Sequence, residues 1–255
     1  MDKLTLIKVG GKIVEEKESL DKLLKSFSLI EGHKVLVHGG GRTATQIASR
    51  LGIENTMVDG RRVTDAETLK VVVMVYAGLV NKTIVAGLQA LGQNAIGLTG
   101  ADLNYMKSEK RPAGEVDYGF VGDVKEVHPE IIANLISLGA VPVLAPITHD
   151  QKGNLLNTNA DTIAGEAAKA LAKYFDVSLI FCFEKKGVLY NEKNDESIIP
   201  EITRDTFKLL VSEGVVSGGM IPKLENAFEA IDAGVKEVII TSADTINNGI
   251  GTRVI

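Results

Sequence analysis

Short runs rich in valine, isoleucine and leucine recur along the chain, separated by longer segments of helical period. That alternation restricts the possible folds more than any other feature. Residues 4–9, 34–38, 94–98, 141–145, 177–183 and 237–241 read as strands. Most lack polar alternation, as strands covered on both faces do. Between them, 19–30, 42–51, 65–91, 129–138, 160–175, 203–213 and 220–233 have helical spacing. Thr64 followed by Glu67 reads as a capping box heading the third. Repeated strand–helix–strand order predicts an α/β fold, a three-layer αβα sandwich around a mainly parallel open central sheet.

At 255 residues the chain can bury a large core, as one domain of two lobes sharing a sheet. The soft boundary falls near Asp176, dividing 1–175 from 176–255. Residues 103–127, with Gly114, Gly119 and Gly122, read as hairpin strands at a sheet edge or over a cleft. Residues 191–200 form a charged loop too polar to pack. The net charge of -5, with no run of lysine or arginine, argues against a nucleic-acid partner. Cys182 is the sole cysteine, which excludes an internal disulfide and the paired spacings of a zinc site. It reads as a buried strand residue. The first nine residues read as a strand rather than a signal peptide, and no apolar run approaches a membrane span, so a cytoplasmic location is expected.

Two glycine loops follow strands. Lys8-Val-Gly-Gly11 closes the first, where open α/β sheets bind ligands. His38-Gly-Gly-Gly41 follows the second and opens a helix, an anion cradle of free amides and helix dipole. This is neither a Walker A loop nor GxGxxG. His-Gly-Gly-Gly also occurs in esterases, but no serine here sits in a Gly-x-Ser-x-Gly elbow. Either loop alone also reads as a plain turn; two in one sheet point to a shared anionic ligand.

Three further segments carry charge or amides. In Gly60-Arg-Arg-Val-Thr64, either Arg61 or Arg62 offers a fork for a carboxylate, and the residues alone leave the choice open. In Asn157-Thr-Asn-Ala-Asp161, Asn159 makes a helix N-cap and Asp161 falls in the first turn, a sufficient structural explanation by itself. Asn157 can in addition donate its amide to a ligand. Ser217-Gly-Gly-Met-Ile-Pro-Lys223 opens another helix, and Lys223 there sits against the dipole unless an anion binds nearby.

Taken in order, these segments, with Asn81-Lys82 and Gly251-Thr252, resemble the amino acid kinase family over essentially the whole chain. Within that family, the resemblance is to the enzymes that phosphorylate the side-chain carboxylate of an N-acylated glutamate, with ATP and Mg²⁺, in arginine biosynthesis. It implies that Gly40 and Gly41 bind the reacting γ-carboxylate, and that Arg62 (rather than Arg61) and Asn157 hold the α-carboxylate. Lys8 and Lys223 would flank the phosphoryl group, Gly11 would donate an amide to it, and Asp161 would orient both lysines. Residues Glu184, Lys185, Lys186, Gly187, Val188 and Leu189, with Val215, Val216 and Ser217, would form the nucleotide pocket. The 1–175 lobe would then take the acylamino acid and the 176–255 lobe the nucleotide, with no metal site in the protein itself.

The chain departs from the family pattern in three places. Phe183-Glu-Lys-Lys-Gly187 replaces a Thr-Asp-Val-like turn, Thr158 an aliphatic residue, and Gly100-Ala-Asp102 the usual Gly-Lys-Asp near the acyl group. N-succinyl-L-glutamate is therefore an alternative to the acetyl compound. The first strand begins almost at residue 3, whereas arginine-inhibited members carry an N-terminal helix that joins dimers. A homodimer insensitive to arginine is expected. Rival readings are an aspartate, glutamate or uridylate kinase, and a non-catalytic nucleotide or amino-acid sensor. Retention of Lys8, Asp161 and Lys223 argues against the sensor.

Overall fold

The structure is a computed structural model that describes residues 1–58, 60–191, 193–218 and 220–255, with Pro222 through its backbone only. Asp59, Glu192 of the charged loop expected at 191–200, and Gly219 of the Ser217–Lys223 segment lie outside the described residues. In chain order the larger elements are β1 (Lys3–Val9), α1 (Gly11–Glu15), α2 (Lys17–Ser28), β2 (His33–His38) and α3 (Gly41–Arg50). A small hairpin, β3 (Met57–Val58) and β4 (Arg61–Arg62), leads into one helical run of 25 residues. That run consists of α4 (Ala66–Val73), a π-helical segment (Met74–Val80) and α5 (Asn81–Ala90). Next come β5 (Ala95–Leu98), β6 (Met106–Lys110), β7 (Gly122–Val127), α6 (Pro129–Ser137), β8 (Val141–Leu144), β9 (Ile147–His149) and β10 (Leu155–Asn157). The chain ends through α7 (Ala160–Leu171), β11 (Asp176–Phe183), β12 (Glu201–Ile202), α8 (Arg204–Ser212), α9 (Met220–Asp232), β13 (Glu237–Ser242) and β14 (Thr252–Val254).

Eight strands form the central sheet in the order β12-β14-β13-β11-β1-β2-β8-β5. All pairs are parallel except β13 with β14. The apolar runs become its inner strands because both faces are covered. On β1, Leu4 and Leu6 enter a core with α7 residues Ile163, Ala164 and Ala168. Ile7 and Val9 enter the opposite core, with Leu23 and Phe27 of α2 and Ile84 and Leu88 of α5. Strand alternation thus sends Lys8 to the α7 face, a point that decides the site. Cys182 is buried on the other face, where desolvation pushes its thiol up to about 12.

A four-stranded sheet, β10-β9-β6-β7, includes the hairpin expected within 103–127. Two expectations fail. Asp65 caps α4 by accepting from the Thr68 amide, because Thr64 is buried and its hydroxyl is drawn to Asn157 and the Arg62 carbonyl. A capping box among the described residues lies at Thr203 and Thr206. The run Ala66–Ala90 is long and apolar enough to cross a membrane by length and composition. Its side Val71, Val72, Val75, Ile84 and Leu88 is nonetheless buried in the α2–α5 core, and core helices pass the same test.

Candidate active site

The two glycine loops lie side by side because β1 and β2 are neighbours, with Val9 opposite His38. Gly39 donates its amide to the Val9 carbonyl at 3.2 Å, and Gly10 donates to Cys182 at 3.1 Å. A Cβ on Gly11 would stand 3.8 Å from the amide nitrogens of Gly40 and Gly41. These three residues therefore bound one small space. Gly40 has φ +157°, and a Cβ there would meet the Tyr76 ring at 3.0 Å. Tyr76 and Val80 reach the loop from the π-helical segment, a distortion that often marks functional sites.

The loop is braced from behind by His38, which is fully buried. Its Nδ1 stands 2.8 Å from the Gly39 carbonyl, which can only accept, so that nitrogen carries the proton. Its Nε2 then accepts from Asn81 Nδ2 at 3.1 Å. Asn81 also donates to the Val143 carbonyl, and Lys82 donates to Asn81 Oδ1. Burial, with the Lys82 charge adding to it, holds His38 down at about 4 despite the Gly39 hydrogen bond. The unfolded chain protonates this ring near pH 6.5, the fold only near pH 4. Stability is therefore intact above pH 6.5 and falls by about 3 kcal/mol as pH drops toward 4. Denaturant unfolding of His38→Gln should show a correspondingly shallower acid slope; parallel slopes for wild type and variant would refute the assignment.

Arg62 and Asn157 both line the cavity and are linked through Thr64. Asn157 Nδ2 donates to Thr64 Oγ1 at 3.0 Å, and Thr64 Oγ1 donates to the Arg62 carbonyl at 3.0 Å. The Arg62 guanidinium donates to the Gly41 carbonyl and Thr45 Oγ1 at 2.8 Å each, and to Asn55 Oδ1. Its Nε is buried with no partner, a donor left for a ligand. Arg61 lines the same cavity but is less buried than Arg62. Thr45, Asn55 and Tyr76 were not singled out in the sequence. No local pattern marks them, since each acts across a distance along the chain.

Lys8 forms an ion pair with Asp161 at 2.7 Å. Asn159 caps α7 by accepting from the Asp161 and Thr162 amides, which sets the carboxylate at the head of that helix. Lys223, from α9, stands 4.0 Å from the centroid of the Phe183 ring, and Lys8 stands 5.3 Å from it. Among the described ion pairs, Asp161 meets Lys8 alone; it acts on Lys223 through its field. Burial and the Lys8 charge lower the Lys223 pKa, against the pull of Asp161.

A cavity of about 650 Å³ is lined by Gly11, Gly40, Gly41, Arg62, Asn157, Phe183 and Lys223, whereas Lys8 and Asp161 are not part of its wall. Of the residues expected around a nucleotide, Glu184, Lys185 and Gly187 line it. Lys186 pairs with Glu196 at 3.1 Å, Val188, Leu189 and Val216 are buried, Val215 is half-buried and Ser217 is exposed. These five apolar and hydroxyl side chains are not part of the wall.

Residues 3–242 match the profile described as the amino acid kinase family, and the chain belongs to that family. Among curated relatives, the acetylglutamate kinase of Parabacteroides distasonis is 71% identical over 254 residues, covering 100% of both chains. A crystal structure of the Streptococcus mutans protein smu.665 superposes with a TM-score of 0.81 at 27% identity, covering 98% of each chain. Carbamate kinase from Giardia lamblia, solved with AMP-PNP, shares the fold with a TM-score of 0.71 at 18% identity, over 99% of this chain and 98% of that one.

Proposed function

We propose that the protein transfers the γ-phosphoryl group of ATP to the side-chain carboxylate of N-acetyl-L-glutamate, as a step of arginine biosynthesis. The observation that carries this reading is the meeting of Lys8 and Lys223, from opposite ends of the chain, on one ring beside both glycine loops. The whole-chain likeness to an acetylglutamate kinase supports the choice of acyl group.

A glutamate side chain has a reference pKa of about 4.3, so it arrives as an anion. One of its oxygens bonds to the γ-phosphorus while the bond to the β,γ-bridging oxygen breaks, and ADP leaves with that electron pair. No proton moves, and no base is required. The obstacle is repulsion between two anions. The Gly40 and Gly41 amides would hold the γ-carboxylate, and the Gly11 amide the phosphoryl oxygens. Lys8 and Lys223 would neutralise charge developing on those oxygens. Arg62 Nε and the second Asn157 amide proton would take the α-carboxylate.

Among the described residues, no group of three or more His, Cys, Asp or Glu can hold a metal. Asp161 and Glu184 are already engaged by Lys8 and Lys12. Mg²⁺ would therefore be carried by phosphate oxygens and water, as its coordination habits favour, and would reduce the charge on the nucleotide. In this reading residues 176–255 take most of the nucleotide and 1–175 the acylamino acid. A cytoplasmic homodimer completes it: Met74 and Leu79 are exposed on the outer side of the long helix, an apolar strip suited to a second copy. A monomer mass by sedimentation at micromolar concentration would remove that part.

One observation favours a second acyl group. Arg42 and Arg61 line the same cavity, and a neutral acetyl group has no use for them. N-succinyl-L-glutamate would offer them a further carboxylate. Trapping the acyl phosphate with hydroxylamine tests both readings. ATP-dependent hydroxamate is expected, and the larger kcat/KM identifies the acyl group; no hydroxamate from either compound sinks the reaction.

A further inference from the structure

We propose that Phe183 is a positioning residue for phosphoryl transfer, its ring face holding the Lys223 ammonium as a cation that no acid pairs with, beside the Lys8–Asp161 ion pair. The inference rests on the reaction proposed above.

Phe183 ends β11 on the same sheet face as Phe181, which lies opposite Lys8 in the parallel register. Both phenylalanines therefore project where Lys8 and the head of α7 converge. Phe181 stacks on Phe183 with centroids 6.2 Å apart and planes 8° from parallel, and Phe181 is buried. The ring thus has a backing that fixes its orientation. Lys223 stands over the ring at 4.0 Å, well inside the range of attraction between an ammonium and an aromatic face.

The nearby acids are engaged elsewhere. Asp161 of α7 holds Lys8 at 2.7 Å, and Glu184, next to Phe183, is drawn to Lys12 of α1 at 2.9 Å. Lys185 pairs with Asp195 at 2.6 Å. The ring is thus the partner found against Lys223. The difference from a carboxylate partner is chemical. An acid paired with Lys223 would cancel its charge and compete with the phosphoryl oxygens. An aromatic quadrupole attracts the ammonium and leaves its full charge for the transition state.

The test replaces Phe183 with mono-, di- and trifluorophenylalanine, which keep its shape while weakening the negative face, alongside Phe183→Leu and Phe183→Tyr. Lys223 is followed by side-chain NMR titration in the protein without ligands, and kcat and KM are measured in the hydroxamate assay. Each added fluorine is expected to move the Lys223 titration to lower pH, about half a unit or more in total. In step, kcat should fall roughly three- to tenfold for trifluorophenylalanine and leucine, with KM for the acylglutamate unchanged and Phe183→Tyr within about twofold of wild type. A Lys223 titration that ignores fluorination overturns the proposal. If the wild type makes no hydroxamate, the proposed reaction fails, and the titration still decides the role of the ring.

Discussion

Replacing Lys8 with alanine is expected to lower kcat about a thousandfold, with far smaller changes in KM for either substrate. Two unit charges ~4 Å apart at an effective dielectric of 20 interact by about 4 kcal/mol. Each 1.36 kcal/mol of lost transition-state stabilisation is about tenfold in rate. The Lys8 side chain is 9% exposed, so bulk water does little to screen it. Removing it also leaves Asp161 without its counterion, which turns a helper into a repelling charge for the incoming nucleotide. Lys8→Met keeps the stem and separates lost packing from lost charge: it should fail catalytically to the same degree while unfolding close to wild type. Lys223→Ala should behave alike, since it removes the other cation of the pair. Turnover by Lys8→Ala within tenfold of wild type would end the assignment.

The second large effect is expected at Arg62, where alanine should reduce kcat/KM for the acylglutamate about 10²- to 10³-fold, mainly through KM. Truncating one partner of a buried, charged hydrogen-bonded pair commonly costs 2–5 kcal/mol. Here the loss is compound. The guanidinium that would meet the α-carboxylate also holds the Gly41 carbonyl, Thr45 and Asn55, so the carboxylate-binding loop loosens with it. Arg62→Lys should recover little, because one ammonium cannot span three acceptors and a ligand. Steady-state kinetics with the acylglutamate varied at saturating ATP measure the effect. A KM for Arg62→Ala within threefold of wild type would remove Arg62 from the substrate site.

The parts legible in the sequence were those that local chemistry decides. Runs such as 177–183 announce a buried strand because burial on both faces leaves few polar positions, here Ser178 alone. Asn159 reads as a cap because an amide oxygen there satisfies helix-end donors at short range. Lys8, Gly11, Gly40 and Gly41 stand out because strand ends and glycine pairs are local signals too. What escaped was set by tertiary contact. Thr64 looked like a cap, but its hydroxyl was claimed by Asn157, 93 residues away, and Asp65 took its place. Tyr76 falls inside the 65–91 helical stretch with nothing local to mark it, and the π-helical segment sets it against Gly40. Phe183 read as the tail of a strand; only the fold brings two ammonium groups to it.

The placing of β1 has a mechanical consequence. All seven of its residues pair with β11 on one side, and six of them with β2 on the other. The strand that carries Lys8 is thus the seam through which both halves are laced. Motion of 176–255 against 1–175 would strain this strand together with the packing of α7 on β11 and α9. A polypeptide severed after residue 175 would leave β1 with a bare edge along its whole length, so neither half is a self-sufficient module.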